Sequence, residues 1–141
     1  MTRVFFYFNA PDRITASAAL VAGAYRQKKE MFIYAPDAAL AKAIHQQLWA
    51  VPATGFVPHV DAASPLADRT PVLIGASTES RRQTDRMLNL SDTPPPGFAE
   101  FDSLVEVVGR SDQEKSAGRE RARFYKDRGY AVEYFDLQEK R

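Results

Sequence analysis

Short apolar runs alternate along this chain with longer amphipathic stretches, and that alternation sets the expected fold. Residues 4–8, Val-Phe-Phe-Tyr-Phe, are β-branched or aromatic and are closed by Asn9-Ala10-Pro11-Asp12, which predicts a buried strand. Residues 14–29 are rich in alanine, lack proline and end in Arg26, Lys28 and Lys29; cations at that end suit a helix dipole. A second apolar run at 31–35 leads into Pro36-Asp37, where Asp37 can cap a helix that continues through Leu48 and Trp49. Proline-bearing chain at 51–71 follows, then strands are expected at 71–75 and, less strongly patterned, at 87–90.

Pro94, Pro95 and Pro96 exclude both helix and central strand, so residues 92–97 are expected to form a surface loop. Residues 98–102 fit one helical turn, and 104–108 read as another buried strand. Ser111 with Glu114 three residues on is a capping-box pattern, opening a helix to about Arg128 that Gly129 would stop. Residues 130–137 alternate loosely as a last strand, before a charged tail from Glu139. Strands separated by helices predict an α/β fold: a single domain over residues 1–141, with a mainly parallel sheet and helices on both faces.

Composition narrows the function classes. The chain has 141 residues, 45% hydrophobic and 26% charged, which fits one folded, soluble domain with one core. A formal net charge of +1 gives no strong overall field for nucleic acid, so electrostatic recognition has to come from a local patch. The lack of cysteine removes disulfides, thiolate catalysis and cysteine-ligated metals. The first residues do not read as a signal peptide and no run reaches membrane-spanning length; the expected compartment is the cytoplasm, with no membrane association.

Such a Rossmann-like arrangement invites a search for nucleotide chemistry at the carboxyl ends of the strands. Neither a G-x-x-x-x-G-K-[ST] loop nor a G-x-G-x-x-G turn is present. Gly75-Ala76-Ser77 comes nearest, and a lone glycine there is the mark of a strand end. His45 and His59 fall in no metal-ligand spacing, and no serine sits in a G-x-S-x-G elbow. No catalytic residue, cofactor or metal site is expected, and hence no intrinsic enzymatic activity.

Two constellations remain. At about 100° per residue, Lys115, Arg119 and Arg123 lie along one ridge of the last helix, and Lys126 falls in the same sector. Asp112 joins that face only at the helix start, while Glu120 and Asp127 lie near its far edge. Ala117, Phe124 and Tyr125 point the other way, toward the core. The ridge is either a solvated helix face or a binding face. Like charges four apart repel by about 0.2–0.5 kcal/mol, so an acidic partner would explain what pairing within the helix does not. The second constellation, residues 48–59, sets Trp49 and Phe56 around Pro52 and Pro58, where rigid aromatics either cover the core or form a docking patch.

The Trp-x-x-Pro-x-x-x-Phe-Val-Pro-His spacing from Trp49 to His59 resembles a signature of the DNA polymerase III chi subunit family. The stretch from Arg119 to Tyr130, Arg-Glu-Arg-Ala-Arg-Phe-Tyr-Lys-Asp-Arg-Gly-Tyr, resembles that family's C-terminal helix, and the likeness extends over nearly the whole chain. It implies a non-catalytic accessory subunit of the polymerase III clamp-loader assembly, working in the cytoplasm at replication forks on the nucleoid. It implies binding of the acidic C-terminal tail of single-stranded DNA-binding protein through Lys115, Arg119 and Arg123, with Lys126 on the same face. By position it also implies that Trp49, Pro52 and Phe56 bind the psi subunit or another clamp-loader component, so that contact with single-stranded DNA is indirect. The connection after Val108 is short for the family and the triple proline is unfamiliar in it. The rival readings are a small α/β nucleotide-binding enzyme and a module that holds single-stranded DNA directly.

Overall fold

The computed structural model describes residues 1–49, 58–62, 64, 66, 70–77 and 85–138. Strand β1 (Arg3–Ala10) is followed by α1 (Arg13–Arg26), β2 (Met31–Tyr34), α2 (Ala38–Trp49), β3 (His59–Asp61), β4 (Val72–Gly75) and β5 (Arg86–Asn89). A 3₁₀ turn at Phe98–Glu100, β6 (Ser103–Gly109), α3 (Asp112–Asp127) and β7 (Val132–Asp136) complete the order. All described strand pairs are parallel, and the sheet runs β3-β4-β2-β5-β6-β1-β7. The expected α/β fold with a parallel sheet is the one observed.

Side chains leave a strand on alternate faces, so each strand feeds two cores. On one face Ile33, Val105 and Val107 meet Val21 and Ala22 of α1 and Ile44 and Leu48 of α2. On the other, Val4, Phe6, Phe32 and Leu104 meet Ala122 and Tyr125 of α3, with Phe98 and Phe101 closing the end. Of the expected anchors on α3, Tyr125 is fully buried, while Ala117 and Phe124 are half-buried.

The helix ends have identifiable chemistry. Asp12 caps α1, accepting from the Thr15 amide at 2.9 Å and from the Thr15 hydroxyl at 2.6 Å. Asp37 caps α2 as expected, accepting from the Ala39 amide at 2.8 Å. Helix α1 stops at Arg26, short of Lys29, because Lys28 turns into the left-handed region at φ 62°. The Lys28 and Lys29 amides then donate back to the Tyr25 and Ala24 carbonyls, closing the last turn. Gly129 does the same for α3 at φ 86°, with the Gly129 and Tyr130 amides donating to the Lys126 and Tyr125 carbonyls.

One element departs from expectation. The proline-bearing stretch before Pro71 contains β3, which pairs with β4 from His59↔Val72 to Asp61↔Ile74 and forms one sheet edge. Its three residues carry a single apolar side chain, too short a pattern to register as alternation. The other edge is β7, paired to β1 alone.

Candidate binding groove

Helix α3 is set close to the sheet by small residues. Gly118 is buried, and a Cβ there would lie 2.8 Å from Cγ2 of Val108 on β6. Ala122, one turn on, is also buried, and Tyr125 packs its ring 5.2 Å from Phe98 and 6.0 Å from Phe6. Ser111 caps the helix by accepting from the Glu114 amide at 3.1 Å, so one half of the capping box forms. Acidic residues occupy the first turn and Lys126 the last, as the dipole favours.

With its backbone held down on β6, the helix covers Val4 and Phe6 of β1 but leaves the sheet open over Phe8 and Tyr134 beside it. The result is an open groove of about 670 Å³. Phe6, Phe8, Val108 and Tyr134 line it, Gly118 and Ala122 form its base, and Lys115, Arg119, Arg123 and Lys126 overhang it from α3. Arg119, Arg123 and Lys126 are exposed and Lys115 is half-buried. Tyr134, 46% exposed, lies tilted at 5.8 Å against Phe6 and edge-on at 6.5 Å to Phe8, and the Lys126 ammonium stands 4.9 Å over its ring. Asp127 is the one carboxylate among the lining residues, at the end near Lys126. The four cations expected along one ridge are thus brought together over an apolar floor.

That floor was not foreseen. Phe6 and Phe8 are two apart on a strand and so share a face, a signal the sequence carries; that β7 and α3 frame them depends on the strand order.

A polar network lies beneath the helix on its other flank. Glu106, with no exposed surface, takes Nε of Arg121 at 2.9 Å on one carboxylate oxygen. Its second oxygen accepts from the Tyr125 hydroxyl at 2.5 Å and from the Asn89 amide at 2.9 Å. Arg121 also donates to the Asp92 carbonyl at 3.3 Å, and Asn89 to the Thr93 carbonyl at 3.0 Å, which ties down the start of the proline loop. Burial first, then the charge of Glu106 and the bond to it, pushes the Tyr125 hydroxyl far above its ordinary pKa, so it remains a donor. This cluster is charged, buried and absent from the expectations above. A carboxylate in the middle of Leu-Val-Glu-Val-Val was its available sign.

At the opposite edge, Trp49 ends α2 with 62% of its surface exposed, its ring 6.0 Å from His59, which in turn lies 4.7 Å from His45. Pro52 and Phe56 lie outside the described residues. Gly75 closes β4 where a Cβ would come 2.9 Å from Cβ of Ala62, so its small size serves packing. Among the described residues no group of three or more His, Cys, Asp or Glu side chains is placed to hold a metal, and no helix is long and apolar enough to cross a membrane.

The profile of the family described as DNA polymerase III chi subunit, HolC, matches residues 1–133. A relative, DNA polymerase III subunit chi of Pseudomonas aeruginosa, is 26% identical over 137 residues, covering 94% of this chain and 95% of its own. A match over nearly the full length places the chain in the DNA polymerase III chi subunit family, as an accessory subunit associated with a replication complex.

Proposed function

We propose that the groove beside α3 receives the acidic C-terminal tail of single-stranded DNA-binding protein, and that the protein acts without catalysis of its own. The observation carrying this reading is the union of four cations with an apolar floor in one open groove. An acidic tail ending in an apolar residue with a free carboxylate needs both halves. Lys115, Arg119 and Arg123 span about 12 Å along the helix, room for several extended residues, while Phe8 and Tyr134, backed by the buried Phe6, take the apolar end.

Exposed ion pairs contribute about 0–1 kcal/mol each, so the affinity is micromolar in scale and falls as salt screens the charges. Arg119 sits mid-ridge and can grip a carboxylate with two parallel hydrogen bonds. Calorimetric titration of a synthetic aspartate-rich peptide with a free apolar C-terminus should give no measurable binding to Arg119→Glu. Equal affinity for wild type and variant would remove the ridge as the site, and single-stranded DNA held by the wild type without its binding protein would favour a direct DNA module.

For psi or another clamp-loader component the binding residues are Trp49, at the far edge of the sheet, and, by sequence position, Pro52 and Phe56. The exposure of Trp49 beside the β3 edge supports this. The protein then links the clamp loader to protein-coated single-stranded DNA at the cytoplasmic replication fork. Phe56→Ser should abolish that second partner with the fold intact; a melted domain would make Phe56 core.

A further inference from the structure

The buried cluster under α3 is poorly explained by stability. Taking a carboxylate and a guanidinium out of water costs about as much as their attraction returns, and apolar pairs of similar volume commonly do as well or better. Its geometry suggests another role. Glu106 accepts from Arg121 on one oxygen and from Tyr125 on the other, residues one helical turn apart, so a single carboxylate holds two successive turns of α3. Asn89 holds that carboxylate from the neighbouring strand, and the Asp92 carbonyl fixes the far end of the Arg121 guanidinium. By contrast, Gly118 and Ala122 give α3 a small, smooth surface against Val108, which is non-directional and resists rolling weakly.

We propose that Glu106, Arg121 and Tyr125 are positioning residues for the groove: they fix the roll and register of α3, and through it the aim of Lys115, Arg119 and Arg123 at an acidic peptide. This rests on the groove being the peptide site. A roll of about 20° at the roughly 6 Å outer radius of a helix displaces a side-chain end by about 2 Å. That exceeds the tolerance of a hydrogen bond to a carboxylate. The side-chain bonds of the network go to one another and to the Asp92 and Thr93 carbonyls rather than to the cations, so its effect on binding passes through the helix.

The test uses the full chain and the same aspartate-rich peptide, far below the unfolding temperature of every variant. Tyr125→Phe removes one bond without changing shape, and Glu106→Leu with Arg121→Met removes both charges at similar volume. The paired variant, which leaves the Tyr125 hydroxyl and one Asn89 N–H without their acceptor, should unfold at a lowered temperature still well above that of the assay, yet bind at least about tenfold more weakly, with a shallower salt dependence, and Tyr125→Phe about threefold more weakly. Wild-type affinity and salt slope in both, with Arg119→Glu failing to bind, would overturn the positioning role and leave the groove in place. Should the paired variant not fold, Tyr125→Phe decides alone, and unchanged affinity there overturns it. Undiminished peptide binding by Arg119→Glu would sink the groove reading, and this proposal with it.

Discussion

Glu106 owes its place in the interior to the donors around it: the Arg121 guanidinium, the Tyr125 hydroxyl and the Asn89 amide. Removing one partner is therefore far worse than removing the pair. Arg121→Ala should cost about 3–5 kcal/mol, read as a lowered urea midpoint, because the carboxylate is then left without its counter-charge. A loss under about 1 kcal/mol would mean that water or a neighbouring cation replaces the guanidinium. The ridge geometry already sets Arg121 apart in the sequence, since it lies off the line through residues 115, 119 and 123. Its partner was not legible, because a glutamate inside an apolar strand announces a need for compensation without saying which helix supplies it. Gly118 belongs to the same case. Nothing in its neighbours marks it, and its reason, the close approach of Val108, exists only once α3 is laid on β6.

Elements were legible where their ends carry their own chemistry. Ser111, Gly129 and Asp37 mark the boundaries found, while Lys28 does not, since a lysine at φ 62° is an unfavoured choice for that position. Lys28→Gly should accordingly stabilise the protein by about 0.5–1 kcal/mol in thermal or urea unfolding; no gain would show that the lysine side chain compensates. The cap of α1 gives a pH-dependent counterpart. The Thr15 hydroxyl and then its amide, both bonded to Asp12, hold that carboxyl below its ordinary 3.8. A lowered folded value means that the charge-linked part of the cap is complete above the ordinary range and fades as pH falls through the folded value. Asp12→Ala should thus cost about 1 kcal/mol at neutral pH, with the gap to wild type narrowing in acid. A gap constant with pH would assign the cap to neutral hydrogen bonding.

Across the whole molecule, the groove, which spans β6, β1 and β7, and the Trp49 region beside β3 lie toward opposite ends of the sheet, about 19–29 Å apart at about 4.8 Å per strand spacing. Ligands so far apart share no contacts and should not compete. Peptide-saturated protein should take up psi with affinity within about twofold of the free protein, measured by sedimentation of the ternary complex, and mutual exclusion would place both partners on one surface. The order of the strands has one more consequence, for the protein as it is being made. β1 sits between β6 and β7, so Phe6 and Phe8 are made well before either flanking strand and must wait for residues beyond 100 and then 130 before either flank is filled. Until then an aromatic strand is left without its neighbours, the state in which nascent chains most need a chaperone. The groove, with its floor on β1 and its wall on α3 and β7, needs elements far apart along the chain, so a ribosome that stalls before α3 releases a chain without it.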